Sequence, residues 1–543
     1  MRRRARDLQP RGEALLASAL VAVLYVATLA RNHAENEDSL NFANRIRSGE
    51  TGTFFEGPHL VFDWIGWLWY LPLRTLGITK DAVAAVSVLD ALLAGAAVGL
   101  LWLLMRRLGG GRLAAFAACG VLTTSYAYWR NGNDVEVFAL SALFVVGSLL
   151  ALQRALEAPS PRAFAVVGVV MGLATVAYLP NLLLVFGGAA ALWLTRAAGG
   201  LGRRALALLA GGAAICVPLY LIAFADRGLW SYSEIHDWAT QSSGAKATTG
   251  HLDLGALKKG VVGGGRSFVG GHFMLALASV RRFVLAHYPG KTLRPDSFLV
   301  ADMSHALVGF LALLAGIVVV FSVLLLARWL HPRLAPELRR LAFVLLAILV
   351  PVAILDFWWD PLNMKLWGNL WILVCVLVAL PLVGRTTRGD AIVVSGLVAS
   401  LFAVNLIGSI VPQMRDSRDY WRVRGAWYAE HAQKGDLILA NGYVWTAYLE
   451  HLTPADVVDV QTFYNRAPDA AIARQELIDL LARSRAPHVY VSQETLHPFA
   501  DAPAGCLEEA FTCESAATTR YLLLPRAHVV ASTPMEKVWE LRR

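Results

Sequence analysis

Charged residues are scarce in this sequence. Asp, Glu, Lys and Arg make up only 16% of its 543 residues, whereas hydrophobic residues make up 56% and the mean hydropathy is +0.51. Soluble domains carry about 25% charged residues and have no interior that could bury so many apolar runs. The composition therefore argues against an ordinary soluble enzyme and predicts a polytopic membrane protein.

The sequence also lacks the motifs of nucleotide-driven machinery. It contains no Walker glycine loop, no G-x-G-x-x-G after a strand and no G-x-S-x-G elbow. We therefore expect no nucleotide site and no ATP-driven pump.

Cysteine is sparse, with five residues in the chain. Cys119, Cys216 and Cys375 lie in apolar runs, where a free cysteine behaves as a small hydrophobic side chain. Cys506 and Cys513 flank a short polar segment near the C-terminus. They could close a small disulfide loop if that end of the chain faces an oxidising compartment.

The net charge of +9 reflects arginines that stand in short clusters between apolar runs. Such clusters set membrane topology by the positive-inside rule, so we reject nucleic-acid binding. Five arginines precede the first apolar run, at positions 2, 3, 4, 6 and 11, and no small-residue cleavage site follows it. The pattern predicts a cytoplasmic N-terminus and a retained first span.

Eleven apolar runs are predicted to cross the membrane, and the arginine clusters fall on the cytoplasmic side at nearly every return. The runs are residues 14–30, 82–105, 113–129, 137–156, 163–179, 182–194, 205–225, 306–329, 341–355, 366–383 and 392–411. Residues 59–76 are short, rich in aromatic side chains and broken by Pro72, so we place them in the outer interface. An odd number of spans puts the C-terminal region opposite the N-terminus.

The expected domain organisation follows from this count. Residues 1–412 form a transmembrane module with outer loops at 31–81 and 226–303, and residues 413–543 form an extracytoplasmic α/β domain. Within the latter, residues 437–440, 457–460, 489–492 and 522–524 are predicted to be short buried strands, and residues 470–483 an amphipathic helix. The fold class is therefore mostly α, a transmembrane helix bundle with a small α/β C-terminal domain.

Three carboxylates, Glu35, Glu37 and Asp38, directly follow the first span. Charged groups commonly mark the point where a helix reaches water and do no more than that. A carboxylate at the bilayer surface can also act as the general base for an acceptor beside a lipid-linked donor. Local sequence leaves both interpretations open.

Three stretches together resemble a known superfamily. Asp38-Ser-Leu-Asn-Phe-Ala is followed about twenty residues later by Gly57-Pro-His-Leu-Val-Phe-Asp-Trp, and Tyr128-Trp-Arg-Asn-Gly-Asn-Asp-Val-Glu-Val-Phe comes later. They resemble the first outer loop and the Glu-Val-Tyr segment of GT-C glycosyltransferases, in the protein O-mannosyltransferase-like branch. The usual His-Pro-Pro is replaced here by Pro58-His59-Leu60.

The resemblance implies a membrane glycosyltransferase that uses a polyprenyl-phosphate sugar donor at the extracytoplasmic face. It implies that Asp38, with Glu37 as the alternative, takes the acceptor proton, and that Glu136 lines the same cavity. His59 stands at the position of the family's histidine motif. The acceptor, whether protein, glycolipid or polysaccharide, stays open.

A departing phosphate needs cations, and we expect them on outer segments beside apolar spans. The candidates are Arg130, Arg266, Arg281, Arg282, Lys291, Arg294 and Lys365. The glycine run before Arg266 could form an anion nest or a flexible connector, and snorkelling explains Arg281 and Arg282 equally well. Trp359 could stack on a sugar or belong to an interface belt, and Lys365 could instead pair with Asp360.

Two other classes of function compete with the enzyme. A secondary transporter or lipid flippase would place ionisable groups at mid-membrane in repeated halves, yet Asp90 is the main charge within the spans and no repeat is found. A noncatalytic membrane assembly protein would tolerate mutation of the carboxylates. The histidines show no H-x-x-x-H spacing; His33 with Glu35 and Asp38 could hold a divalent ion, although we do not predict one.

Overall fold

The computed structural model describes residues 2–35, 38–241, 252–287, 293–330, 334–384, 386–466, 469–496 and 513–542. The chain divides into two compact units. The first, here called the membrane unit, comprises Met1–Ala30, Arg45–Gly271 and Ala306–Val411. The second, here called the α/β unit, comprises Arg31–Asn44, His272–His305 and Pro412–Arg543.

The membrane unit is helical. Its α-helices are Arg2–Ala27, Phe62–Thr75, Ala82–Arg107, Arg112–Thr124, Tyr126–Gly132, Val137–Glu157, Pro161–Ala177, Val185–Leu194, Leu201–Arg227, Tyr232–Gln241, Leu254–Phe268, His305–Leu326, Pro336–Trp359, Trp367–Ala379 and Arg388–Asn405. The last of these continues into a π-helical stretch at Leu406–Ile410.

Seven helical segments among the described residues are long and apolar enough to cross a membrane. They are Gln9–Ala27, Ala82–Arg107, Val137–Glu157, Leu201–Arg227, His305–Leu330, Pro336–Trp359 and Arg388–Gln413. Shorter apolar helices occupy Arg112–Thr124, Pro161–Ala177, Leu179–Leu194 and Trp367–Leu382. Each of the eleven predicted spans therefore overlaps an apolar helix, seven of which are long enough to cross a membrane. The chain is an integral multi-pass membrane protein.

Small residues allow the helices to approach closely. A Cβ on Gly168 would lie 2.0 Å from the carbonyl oxygen of Leu208, and one on Gly211 would lie 2.4 Å from that of Ala165. The helices Pro161–Ala177 and Leu201–Arg227 thus pack backbone against backbone. Apolar tails of lipids provide no hydrophobic drive between helices, so such close packing supplies the attraction instead.

Some helix faces expose large apolar side chains. On His305–Leu326 these include Phe310, Leu313, Val319 and Val323, each about half exposed or more. Exposure of these apolar side chains to water would cost free energy, whereas exposure to lipid does not. The exposure pattern agrees with a helix that faces the bilayer.

The α/β unit contains a five-stranded sheet. The strands are Leu437–Ala440 (β1), Asp456–Asp459 (β2), Val489–Val491 (β3), Ala527–Ser532 (β4) and Lys537–Leu541 (β5), in the order β2-β1-β3-β5-β4. β1 runs parallel to β2 and β3, whereas β5 runs antiparallel to β3 and β4. The helices that lie wholly in this unit are Ala278–His287, Arg294–Leu299, Tyr420–His431, Tyr443–Leu452, Val460–Arg466, Ala470–Arg483, Gln493–Leu496 and Cys513–Leu523.

The core of the sheet region forms between the strands and the helix Ala470–Arg483. Leu439, Val491, Ala473 and Leu477 are fully buried in one apolar cluster. The helix packs through residues spaced four apart, as the sequence pattern predicts.

The predicted mostly helical fold with a small C-terminal α/β region is confirmed, with corrections in detail. Residues 522–524 are not a strand: they end the helix Cys513–Leu523 and begin a 3-10 turn at Leu524–Arg526. The two antiparallel strands β4 and β5 were not predicted. Four α-helices lie within the part of residues 226–303 that the structure describes.

The glycine run before Arg266 belongs to one of those helices. Leu254–Phe268 is continuous across it, so the run forms neither an anion nest nor a loop connector. A Cβ on Gly263 would lie 1.8 Å from the carbonyl oxygen of Pro361, and one on Gly260 would overlap the ring of Phe357. The glycines therefore serve helix packing.

Candidate functional site

Asp38 lies at the start of the helix Ser39–Ser48. Its carbonyl oxygen accepts the backbone N–H of Phe42 at 2.9 Å, and the hydroxyl of Tyr443 donates to its Oδ1 at 3.1 Å. The side chain is half-buried. A carboxylate at a helix N-terminus is stabilised by the helix dipole, and this one is partly exposed. Glu37, its predicted alternative, lies outside the described residues.

The chain just before Asp38 is held tightly inside the α/β unit. The N–H of Asn32 donates to the carbonyl of Gln413 at 2.9 Å, and the N–H of His33 donates to the hydroxyl of Tyr448 at 3.0 Å. Tyr448 in turn donates to Asp419 at 2.6 Å. Burial raises the pKa of Asp419 above its ordinary value, although this hydrogen bond opposes the shift. The segment is thus anchored by its backbone.

Glu35, His272 and Asp296 form a compact cluster in the α/β unit. Their ligating atoms all lie within 4.8 Å of one another, with His272 Nε2 at 2.8 Å from Glu35 Oε1 and 4.0 Å from Asp296 Oδ1. Gln413 Nε2 donates to Glu35 Oε2 at 2.8 Å. In the described part of the chain this is the group able to hold a metal ion, and it contains neither His33 nor Asp38.

Glu136 and Lys365 meet inside the membrane unit. Lys365 Nζ lies 2.8 Å from Glu136 Oε1, and both side chains are at most 8% exposed. The backbone N–H of Glu136 donates to Asp90 at 3.0 Å, and Asn131 donates to the carbonyl of Lys365 at 3.3 Å. The structure therefore joins two predicted site residues and gives Lys365 a carboxylate partner other than Asp360.

Arg130 has its own partner one turn further along. Its guanidinium lies 2.6 Å from Asp134, and neither side chain is exposed to solvent. The two ion pairs together comprise four buried charges. Three of them lie within residues 130–136, and the fourth is that of Lys365. Buried charges are costly unless paired, so the pairing explains how the bundle tolerates them.

His59 lies in a firmly held turn of the membrane unit. Its ring stacks on Tyr178 with centroids 5.8 Å apart, and the carbonyl of the preceding Pro58 accepts the N–H of Leu179 at 2.9 Å. The hydroxyl of Tyr220 reaches the carbonyl of Gly57 at 3.4 Å. This part of the motif is thus fixed by the helices around it.

The residues that flank this turn form a charged cluster. Arg45 Nε donates to Asp63 at 2.8 Å, and another guanidinium nitrogen lies 2.9 Å from Glu56. Burial raises the pKa of Asp63 to about 6, while the charge of Arg45 works against the shift. Arg45 therefore links the two ends of the turn that carries His59.

The remaining predicted residues are spread over both units. Arg266 lies in the last turn of Leu254–Phe268, and Trp359 ends the helix Pro336–Trp359. Arg281 and Arg282 lie on the helix Ala278–His287. The guanidinium of Arg281 donates a hydrogen bond to the carbonyl of Leu275 at 2.7 Å. Lys291 lies outside the described residues, and so does the predicted disulfide, because Cys506 is among the residues not described.

The fold brings together several residues that no sequence pattern singles out. Neither His272 nor Asp296 stands in a motif or at a metal-ligand spacing in the sequence. Their partner Glu35 is more than two hundred positions away. No local spacing signals such a cluster, because its members come from three separate segments. Asp134, four residues after Arg130, was the one partner that helical spacing could have revealed.

Residues 60–222 match the family described as dolichyl-phosphate-mannose-protein mannosyltransferase. The matched range is less than a third of the chain and includes Arg130, Glu136 and most of the spans between the first and the eighth. No curated protein matches the chain significantly in sequence.

Among solved structures, the chain is similar at low identity to the two that follow. ArnT from Cupriavidus metallidurans bound to undecaprenyl phosphate is 14% identical, with 97% of this chain and 98% of that chain covered and a TM-score of 0.48. The S. cerevisiae protein O-mannosyltransferase Pmt1–Pmt2 complex bound to the sugar donor is 16% identical, with a TM-score of 0.33. There the match covers 42% of this chain and 34% of that one.

The predicted resemblance to GT-C glycosyltransferases is confirmed by the family match, and with it the predicted enzyme class. The roles of individual residues and the domain boundaries stay predictions.

Proposed function

We propose that the chain is a membrane glycosyltransferase that moves a sugar from a polyprenyl-phosphate carrier to an acceptor at the extracytoplasmic face. The observation that carries this proposal is the match of residues 60–222 to a family whose name specifies a dolichyl-phosphate sugar as donor. A donor of this kind is already activated, so no nucleotide site is required. The sequence contains none of the nucleotide motifs named above, which agrees with a donor of this kind.

The reaction needs a base for the acceptor, and we assign this role to Asp38. The acceptor O–H bond breaks and its proton goes to the carboxylate, while the acceptor oxygen bonds to the anomeric carbon. The bond from that carbon to phosphate breaks, and its electron pair leaves with the polyprenyl phosphate. The hydrogen bond from Tyr443 to Asp38 supports the assignment, because it orients the carboxylate.

The departing phosphate needs a cation, and we assign Lys365 to it. Glu136 holds the ammonium group in a buried place, where electrostatic stabilisation is stronger than in water. Arg130, Arg266, Arg281, Arg282 and Lys291 are further candidates, and His59 and Trp359 are proposed contacts of the sugar. The arginine clusters support a cytoplasmic N-terminus and an extracytoplasmic C-terminal region.

Replacement of the proposed base tests the function. We expect Asp38→Asn to abolish transfer from a lipid-linked donor in membranes, while expression and thermal stability stay near wild type. Loss of a general base typically slows a reaction by about 10²–10⁴-fold. Asp479→Asn is the matched control, because Asp479 is a partly exposed carboxylate on the helix Ala470–Arg483 of the same unit.

Two outcomes would count against this assignment. Full transfer by Asp38→Asn removes Asp38 from the mechanism. If the double variant with Glu37→Gln is also fully active, the carboxylate mechanism as a whole is refuted. A noncatalytic assembly role would then become the better account.

A further inference from the structure

Three side chains of the α/β unit offer metal ligands around one point. Glu35 follows the first span, His272 opens a 3-10 turn, and Asp296 lies in the first turn of Arg294–Leu299. The side chain of His272 is fully buried, and those of Glu35 and Asp296 are 12% and 21% exposed. They come from separate segments, so the fold and not local sequence assembles the group.

The spacing of the ligating atoms suits a small divalent ion. Two atoms that each lie about 2.1 Å from one ion are about 3–4.2 Å apart in tetrahedral or octahedral sites. The two measured distances from His272 Nε2, 2.8 and 4.0 Å, need only small shifts to fit. A hydrogen bond between imidazole and carboxylate explains the first distance without metal, but it does not explain why a second carboxylate converges on the same nitrogen.

The surroundings of the cluster resemble those of a built ligand set. Gln413 donates to Glu35 Oε2 at 2.8 Å, on the carboxylate oxygen that does not face His272. A second partner of this kind orients a carboxylate ligand and fixes which oxygen it presents. Gln413 is itself buried, and the backbone carbonyl of the same residue anchors Asn32.

We propose that Glu35, His272 and Asp296 form a binding site for a divalent transition-metal ion of the Zn²⁺ class. One imidazole with two carboxylates matches the ligand preference of such ions, whereas Ca²⁺ prefers six to eight oxygen ligands. Glu35 lies three residues before Asp38, so a bound ion would fix the segment that carries Asp38 to the segment 272–305 within the unit. Ion binding does not depend on the proposed sugar transfer.

Metal binding to the purified full-length protein tests the proposal. After treatment with EDTA and removal of the chelator, ZnCl₂ is titrated by calorimetry and thermal unfolding is followed with and without the ion. We expect one Zn²⁺ per chain and a rise of about 5 °C in the unfolding midpoint near saturation. CaCl₂ at the same concentration should give no shift.

Variants separate this site from adventitious binding. Glu35→Gln, Asp296→Asn and His272→Ala should each weaken Zn²⁺ binding at least about 100-fold, and Gln413→Ala about 10-fold, since it acts only through Glu35. His287→Ala is the matched control and should bind as wild type, because His287 is exposed on Ala278–His287. The two isosteric carboxylate variants keep the test decisive if His272→Ala does not fold.

Three results would contradict the proposed metal site or its class of ion. No saturable Zn²⁺ binding by the wild type, or undiminished binding by both Glu35→Gln and Asp296→Asn, overturns the site. A tighter response to Ca²⁺ than to Zn²⁺ overturns the class of ion. None of these results depends on sugar transfer, so the site and the proposed function can fail independently.

Discussion

At the scale of single residues, the ion pair of Glu136 and Lys365 shows how a buried charge is both a cost and an opportunity. Lys365 Nζ and Glu136 Oε1 are 2.8 Å apart, and the pair is almost fully buried. Two paired charges can balance their desolvation, whereas a single one cannot. If Lys365 neutralises a phosphate, the pair is also part of the chemistry.

Removal of one partner should therefore cost more than removal of both. We expect Glu136→Gln or Lys365→Met to lower the free energy of unfolding by about 3–5 kcal/mol, and the double variant to recover much of that loss. Denaturant titration in detergent measures the cycle. Additive losses would show that the two side chains do not interact.

A second buried pair predicts a pH dependence in the α/β unit. Glu536 accepts from Arg424 at 2.6 Å, and burial raises the pKa of Glu536 from 4.5 to about 7 despite that partner. Since the folded-state pKa is the higher one, stability from this group is complete below about pH 4.5 and is lost as pH rises through 7.

We expect Glu536→Gln to flatten the dependence of stability on pH between 5 and 8. The difference in the free energy of unfolding between pH 5 and pH 8 should shrink by about 1–3 kcal/mol, because the substituted side chain no longer titrates. Thermal or denaturant unfolding at four pH values checks this. Glu476→Gln, on an exposed helix face, should leave the slope unchanged; an equal flattening there would contradict the account.

Some candidate site residues could be predicted from the sequence and others could not, for a physical reason. Asp38 and Glu136 stand in motifs, so a resemblance could point to them. The partnership of Glu136 with Lys365, and that of Glu35 with His272 and Asp296, joins residues more than two hundred positions apart. Such contacts between distant residues form only through tertiary packing, and a single sequence does not show which residues will meet.

At the scale of elements, hydrophobicity predicted the apolar helices well, because a lipid-facing helix needs one long uninterrupted run. Short segments were harder. Residues 522–524 are as apolar as a buried strand, yet they end a helix and begin a 3-10 turn. By contrast, β4 and β5 carry polar residues among their apolar ones. A run of three apolar residues does not distinguish the two structures.

Close helix packing gives a prediction of its own. We expect Gly168→Ala to destabilise the protein by about 1–3 kcal/mol, because its Cβ would collide with the carbonyl of Leu208. Gly316→Ala is the matched control: it lies in His305–Leu326 with nothing within 4 Å of its Cβ, and should be neutral or stabilising. Thermal unfolding in detergent compares them, and equal midpoints for both variants would show that the helices can separate without cost.

At the scale of the whole molecule, composition set the class of the protein before any motif was considered. Low charge and long apolar runs require a membrane, and the arginine clusters predict which side each loop faces. The identity of a sugar or an acceptor does not follow from the sequence, because it depends on how side chains from distant parts of a chain come together.

The claim on which the account depends most is that the sugar arrives on a polyprenyl phosphate. In the direct measurement, the purified full-length protein and acceptor membranes are incubated with a panel of polyprenyl-phosphate sugars, or with the matching nucleotide sugars. Mass spectrometry then follows release of the free lipid phosphate. We predict release and sugar transfer with at least one lipid-linked donor, none with nucleotide sugars, and none with Asp38→Asn. Transfer from a nucleotide sugar, with the lipid-linked panel left intact, would contradict the account.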